Sequence, residues 1–196
     1  FAITSIIVVQ VYWLRNTWNI KEKQFSQTVH IALFEVAEKM SRYNQSVLPA
    51  TNPVNQLSAS YFVVNLNSVI DANILEYYLK TEFSIHNIIT DYEYAIYDYH
   101  DDKMVYGKYV SAKGENKPIN MSVDLPKYSD YIYYFGINFP SMRNYLGADM
   151  TLWFIFTAIL FVSVIFFVYS IFIILQQKRY SELQKDFINN MTHEFK

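Results

Sequence analysis

The stretch LWFIFTAILFVSVIFFVYSIFIIL, residues 152–175, decides how the rest of the chain is read. Its 24 residues are dense in Phe, Ile, Val and Leu, and the surrounding run from Met150 to Gln177 holds 28 residues without one charge. About 20 apolar residues carry a helix across a hydrocarbon core of about 30 Å. A soluble core helix rarely sustains so long an uncharged run. Residues 150–177 are therefore expected to form a transmembrane helix. Lys178-Arg179 follows at once, and basic residues flanking a span favour the cytoplasmic side.

Composition agrees with a membrane chain. Among 196 residues the hydrophobic fraction is 52%, while charged residues are 17%, against about 25% in soluble proteins. A formal net charge of −2 gives no basic footprint for nucleic acid. With no cysteine, neither a disulfide nor a thiolate metal site is available. The 18 tyrosines suit strands and wet interfaces.

Upstream, Phe1 to Leu14 is uncharged and Arg15 ends the run. Fourteen residues at about 1.5 Å each fall short of the hydrocarbon thickness. Residues 1–15 are expected to be the outer part of a first transmembrane helix that begins before Phe1. The rival reading is a signal-peptide remnant. Tyr12, Trp13 and Trp18 instead suit an interfacial aromatic belt. Two spans then place 16–149 outside the cytoplasm, with 11 basic and 15 acidic residues.

Within that segment, Phe25, Val29, Leu33, Val36, Ala37 and Met40 recur at helical spacing and predict a long helix over 16–45. His30 lies one position from its stripe and is read as structural or solvated. Pro49 and Pro53 mark a loop. A mixed core over about 57–140 follows. It has a strand at Tyr61–Asn67, a helix capped by Asp71 and running to about Phe83, strands at Tyr92–Tyr99 and Lys103–Val110, and a third at Tyr131–Phe139. Ser141 is expected to cap a helix starting at Met142. Asp91, Glu93, Asp98, Asp101 and Asp102, with His100, invite a cation. Alternating strand positions divide these carboxylates between faces, so they are read as a solvated hairpin and no metal site is expected. Asn44, Asn120 and Asn190 match a glycosylation pattern that a bacterial setting makes accidental.

Downstream, Phe187-Ile188-Asn189-Asn190-Met191-Thr192-His193-Glu194-Phe195-Lys196 carries the chemistry. A neutral imidazole is a nucleophile able to form a covalent intermediate. A carboxylate beside it can accept or return the ring proton. Tyr180, Leu183, Phe187, Ile188, Met191 and Phe195 fall at steps that cluster on one face of a helix, with His193 nearly opposite.

These ten residues resemble the H-box of bacterial sensor histidine kinases, whose pattern is Phe-(Leu/Ile)-(Ala/Asn)-(Asn/Asp)-(Met/Val)-(Ser/Thr)-His-Glu-(Leu/Phe)-(Lys/Arg). All ten positions fit; the Thr-Pro that continues the family pattern would lie after Lys196. The resemblance implies that His193 is the phosphoacceptor and Glu194 its proton-transfer partner, with Asn190 flanking the ring. It implies residues 178–196 as the start of a dimerisation and phosphotransfer domain, a homodimer, and a cytoplasmic response regulator as partner. ATP with Mg2+ would bind a catalytic domain outside this sequence, which has only 4 Gly and no Gly-rich nucleotide loop.

The expected fold class is thus α+β: two transmembrane helices flank an extracytoplasmic sensor domain, followed by the phosphoacceptor helix. A long helix before a small antiparallel α/β unit resembles the PAS-like sensor domains of membrane kinases. The 18 residues from Leu175 to His193 are too few for the four-helix HAMP adaptor. One nearly continuous helix is expected from about Ser141 through Lys196. The function expected is that of an inner-membrane kinase sensing an unknown extracytoplasmic ligand. The alternative is a non-enzymatic two-span receptor or anchor with a partner-docking cytoplasmic helix. An enzyme in the outer domain finds no nucleophile–base arrangement to support it.

Overall fold

The computed structural model describes residues 2–49, 52–98, 103–112, 131 and 133–194. The chain divides into two units, residues 15–149 and residues 1–14 with 150–196. Among the described residues it is a mixed α+β protein with four helices and one sheet.

Helix α1 runs from Ala2 to Tyr43 without a Gly or Pro to interrupt it. Its end is a left-handed closure: Gln45 takes φ 52°, and the Ser46 N–H reaches back to the Ser41 carbonyl at 2.9 Å. Helix α2, Ala72–Ile85, starts as expected on Asp71, whose side chain accepts from the N–H groups of Asn73 (2.8 Å) and Ile74 (3.2 Å). It closes on Asn87 at φ 54°, with the Ile88 N–H on the Phe83 carbonyl.

The described residues form five strands, in chain order β1 Val54–Gln56, β2 Tyr61–Asn65, β3 Tyr92–Asp98, β4 Lys103–Val110 and β5 Tyr133–Asn138. They form one antiparallel sheet in the order β1-β2-β5-β3-β4. The period of two sorts the side chains cleanly. Phe62, Val64, Tyr94, Ile96, Phe135 and Ile137 share one core with the helices. Tyr61, Val63, Ala95, Tyr97 and Tyr134 form a separate cluster. Strand β1 departs from the expected loop. Its three residues include Asn55 and Gln56, too short and polar a run to show alternation.

The helical face of the core is supplied by Phe25, Val29, Leu33, Val36 and Met40 of α1, Leu75, Leu79 and Phe83 of α2, and Met142 and Leu146 of α3 (Met142–Asp149). Ser141 immediately precedes α3, but its hydroxyl does not cap that helix. It donates to Asp91 at 3.3 Å, while its carbonyl accepts from Tyr145 N–H.

In the other unit, α4 extends from Thr151 to Glu194 over 44 residues. Helices α3 and α4 are separated by Met150 alone, where one nearly continuous helix was expected from about Ser141. Gly147 and Asp149 are poor helix formers at the end of α3, and they weaken the run there. Among the described residues, α4 is the one helix long and apolar enough to cross a membrane. The apolar end of α1 does not meet that measure, so a second span is not shown. Gln10 of α1 donates to the Thr157 hydroxyl of α4 at 2.8 Å, within this unit.

Candidate functional site

His193 and Glu194 lie on the last turn of α4, and Asn190 one turn earlier. Their backbone is helical; the side chains of His193 and Glu194 lie outside the described part of the chain. No Gly or Pro occurs between Thr151 and Glu194, so nothing in the sequence breaks the helix that carries them. Along the same helix Tyr180, Leu183, Phe187, Ile188 and Met191 are all exposed. An apolar stripe of this kind on a single chain is unburied surface of the sort that pairing helices cover.

Two clefts in the unit 15–149 are lined by described residues. One, of about 720 Å³, is lined by Trp18, Glu22, Ser60, Phe139, Arg143 and Leu146 among others. The other, of about 500 Å³, lies beside Asp91, Tyr109, Ser111, Ser141 and Tyr145. Asp91 is fully engaged there. It accepts from Ala112 N–H at 2.9 Å and from the hydroxyls of Ser111 and Ser141 at 3.3 Å each. Burial opposes its charge, but these donors and Tyr109 outweigh it and hold the carboxyl below the ordinary carboxylate range. Burial, and then the bond to Asp91, push the Tyr109 phenol up to about 12.

The acidic group read from the sequence is not brought together as a set among the described residues. Asp91 is held as above, and Glu93 accepts from the Asn138 amide at 2.6 Å. His100, Asp101 and Asp102 lie outside the described residues, as does the side chain of Asp98. His30 is a structural histidine, its Nε2 2.9 Å from the Asn52 amide nitrogen.

The structure assembles a different group. Glu35 of α1, Glu82 of α2 and His86 at the end of α2 bring one ligand-type atom each within 4.8 Å of one another. Glu82 is wholly buried and pairs through Oε1 with the Lys39 ammonium. Burial alone would raise the Glu82 pKa; Lys39 and the neighbouring groups lower it instead. The hydrogen bond to Glu82 raises Lys39. Sequence reading missed this group, although a signal was there. Leu75, Leu79 and Glu82 continue one stripe of α2, so a carboxylate stands where an apolar side chain was due, and His86 follows it by one turn.

No known family profile matches the chain, and no solved structure matches it. The chain is similar to the Sensor protein RprX of Bacteroides fragilis, at 30% identity over 130 residues. That match covers 62% of this chain and 24% of the relative, so the chain matches about a quarter of that protein's length.

Proposed function

We propose that the chain is the sensing and transmitting part of a bacterial inner-membrane sensor histidine kinase of a two-component system. The observation that carries this reading is ten contiguous residues fitting the H-box, the first eight of which, Phe187 to Glu194, continue the same helix as the apolar span. The similarity to a protein named as a sensor supports it from a separate stretch of argument. On this reading residues 1–14 are the end of a first span, and the unit 15–149 is a PAS-like extracytoplasmic sensor. The α4 helix dimerises through the Leu183, Phe187, Ile188 and Met191 stripe.

The chemistry follows from the groups at the helix end. A ring nitrogen of His193 attacks the γ-phosphorus of ATP bound by the catalytic domain, the bond to the β-phosphate oxygen breaks, and ADP leaves. Glu194 takes the ring proton. The phosphoryl group then passes to an aspartate of a response regulator. Mg2+ accompanies the nucleotide.

The test is phosphoryl labelling of the full-length gene product in membranes supplied with labelled ATP. Wild type is expected to acquire acid-labile, alkali-stable label, and His193→Gln to acquire none. Undiminished labelling in the variant would overturn the assignment.

A further inference from the structure

We infer that Glu35, Glu82 and His86 form a binding site for a single divalent transition-metal ion of the zinc class, clamping α1 to α2. Two i, i+4 pairs face each other here: Glu35 and Lys39 on α1, Glu82 and His86 on α2. The three ligand-type atoms lie within 4.8 Å of one another, and one pair already has the spacing of a metal site. His86 Nε2 lies 3.5 Å from Glu35 Oε2, close to the about 3.4 Å between neighbouring ligands around a tetrahedral zinc ion.

The independent sign is what these atoms lack. Glu82 Oε2 and His86 Nε2 are both shielded from water, and neither makes a hydrogen bond of good geometry, the nearest approach to the imidazole nitrogen being Glu35 Oε2 at 3.5 Å. Glu82 is 0% exposed. An unsatisfied buried carboxylate oxygen is costly, because it has given up water and gained no donor in exchange. A cation at the shared point satisfies both atoms at once.

The donor set selects the ion. One imidazole nitrogen with two carboxylates suits zinc and its neighbours, whereas calcium and magnesium prefer oxygen ligands alone. Lys39 opposes a cation, yet it holds the other oxygen of Glu82, Oε1, and its side chain is 40% exposed to solvent. It thereby holds the carboxylate through Oε1 and leaves Oε2 as the oxygen open to a second partner. Three protein ligands leave the fourth position to water, as in an open zinc site.

The inference does not depend on the kinase reading. The full chain in detergent micelles is titrated with Zn2+ by calorimetry and with Co2+ by visible absorption. Wild type is expected to bind one ion per chain and to show the d–d bands of a tetrahedral nitrogen–oxygen site. The thermal midpoint should rise with metal. His86→Gln and Glu35→Gln should each weaken binding by at least roughly 100-fold. Glu35 is partly exposed, so its variant remains informative if His86→Gln fails to fold. Absence of saturable binding in wild type overturns the inference. So does equal affinity in the folded variants, because the ion would then sit on other histidines.

Discussion

The ammonium of Lys108 on β4 lies 2.7 Å from Oε2 and 2.9 Å from Oε1 of Glu76 on α2. Lys80, one turn further along α2, reaches Oε1 at 2.7 Å, and the Tyr94 hydroxyl donates to Oε2 at 3.3 Å. One carboxylate thus ties a helix to an edge strand. Burial opposes its charge, but Lys108 and Lys80 outweigh that and lower its pKa. A folded pKa below the unfolded one means stability present above the unfolded value and lost as pH falls through the folded value. Glu76→Gln should therefore cost about 1–2 kcal/mol at neutral pH, discounted for the partial exposure of both lysines. The gap to wild type should close below about pH 4. Urea unfolding in micelles at neutral and acidic pH measures both; a gap unchanged by pH would contradict the account.

Phe139 stands where the layers meet. Its ring contacts Phe25 of α1 at 5.3 Å between centroids, Phe62 of β2 at 6.1 Å and Phe83 of α2 at 5.7 Å. It is 0% exposed, and no small shift of one element fills the space it occupies. Phe139→Ala should destabilise the unit by about 3–5 kcal/mol. Phe139→Leu should cost clearly less, because it keeps most of the volume. Near-ultraviolet dichroism and urea midpoints compare the two; equal losses would mean that volume is not what the site requires.

How legible this was in the sequence differs between elements. Lys103–Val110 falls on β4 residue for residue, and Asp71 caps α2, because alternation and capping are local rules that the core does not override. Strand β1 was hidden because it borrows its order from β2, pairing Val54 with Val64 and Gln56 with Phe62. Ser141 looked like a cap from its position alone. Its hydroxyl instead goes to Asp91, fifty residues away, and no local pattern carries such a partner. Glu35, Glu82 and His86 likewise meet only through the packing of α1 on α2. The proposal for His193 and Glu194, by contrast, rests on a contiguous motif, a pattern that is read without any tertiary contact.

Gly136 sits in the middle of β5 because Tyr61 takes the space above it. A Cβ at Gly136 would press on the Tyr61 hydroxyl and come within 3.1 Å of Cε2 and Cζ. Tyr61 is itself 4% exposed, packed with Val63, Ala95, Tyr97 and Tyr134, and its ring has little room to yield. Gly136→Ala should cost about 1–3 kcal/mol by overpacking. Tyr61→Phe removes the nearest atom. In a double-mutant cycle the pair should therefore cost less than the sum of the singles by at least about 0.5 kcal/mol. Strict additivity would show that the hydroxyl is not what excludes a methyl group here.

The unbroken course of α4 makes a prediction about register. If the helix transmits its motion to His193 as a rod, inserted residues between Arg179 and Asp186 rotate the histidine by about 100° each. Seven inserted residues amount to nearly two whole turns and leave the face within about 20° of its original position. Two inserted residues turn it by about 200°, placing the apolar stripe of Leu183 and its neighbours out of register with Phe187 and Met191. In the full-length protein, seven-residue insertions should preserve His193 labelling, and two-residue insertions should abolish it or fix it at one level. Equal behaviour of both lengths would mean that the segment acts as a flexible tether, and the transmission proposed for α4 would fail.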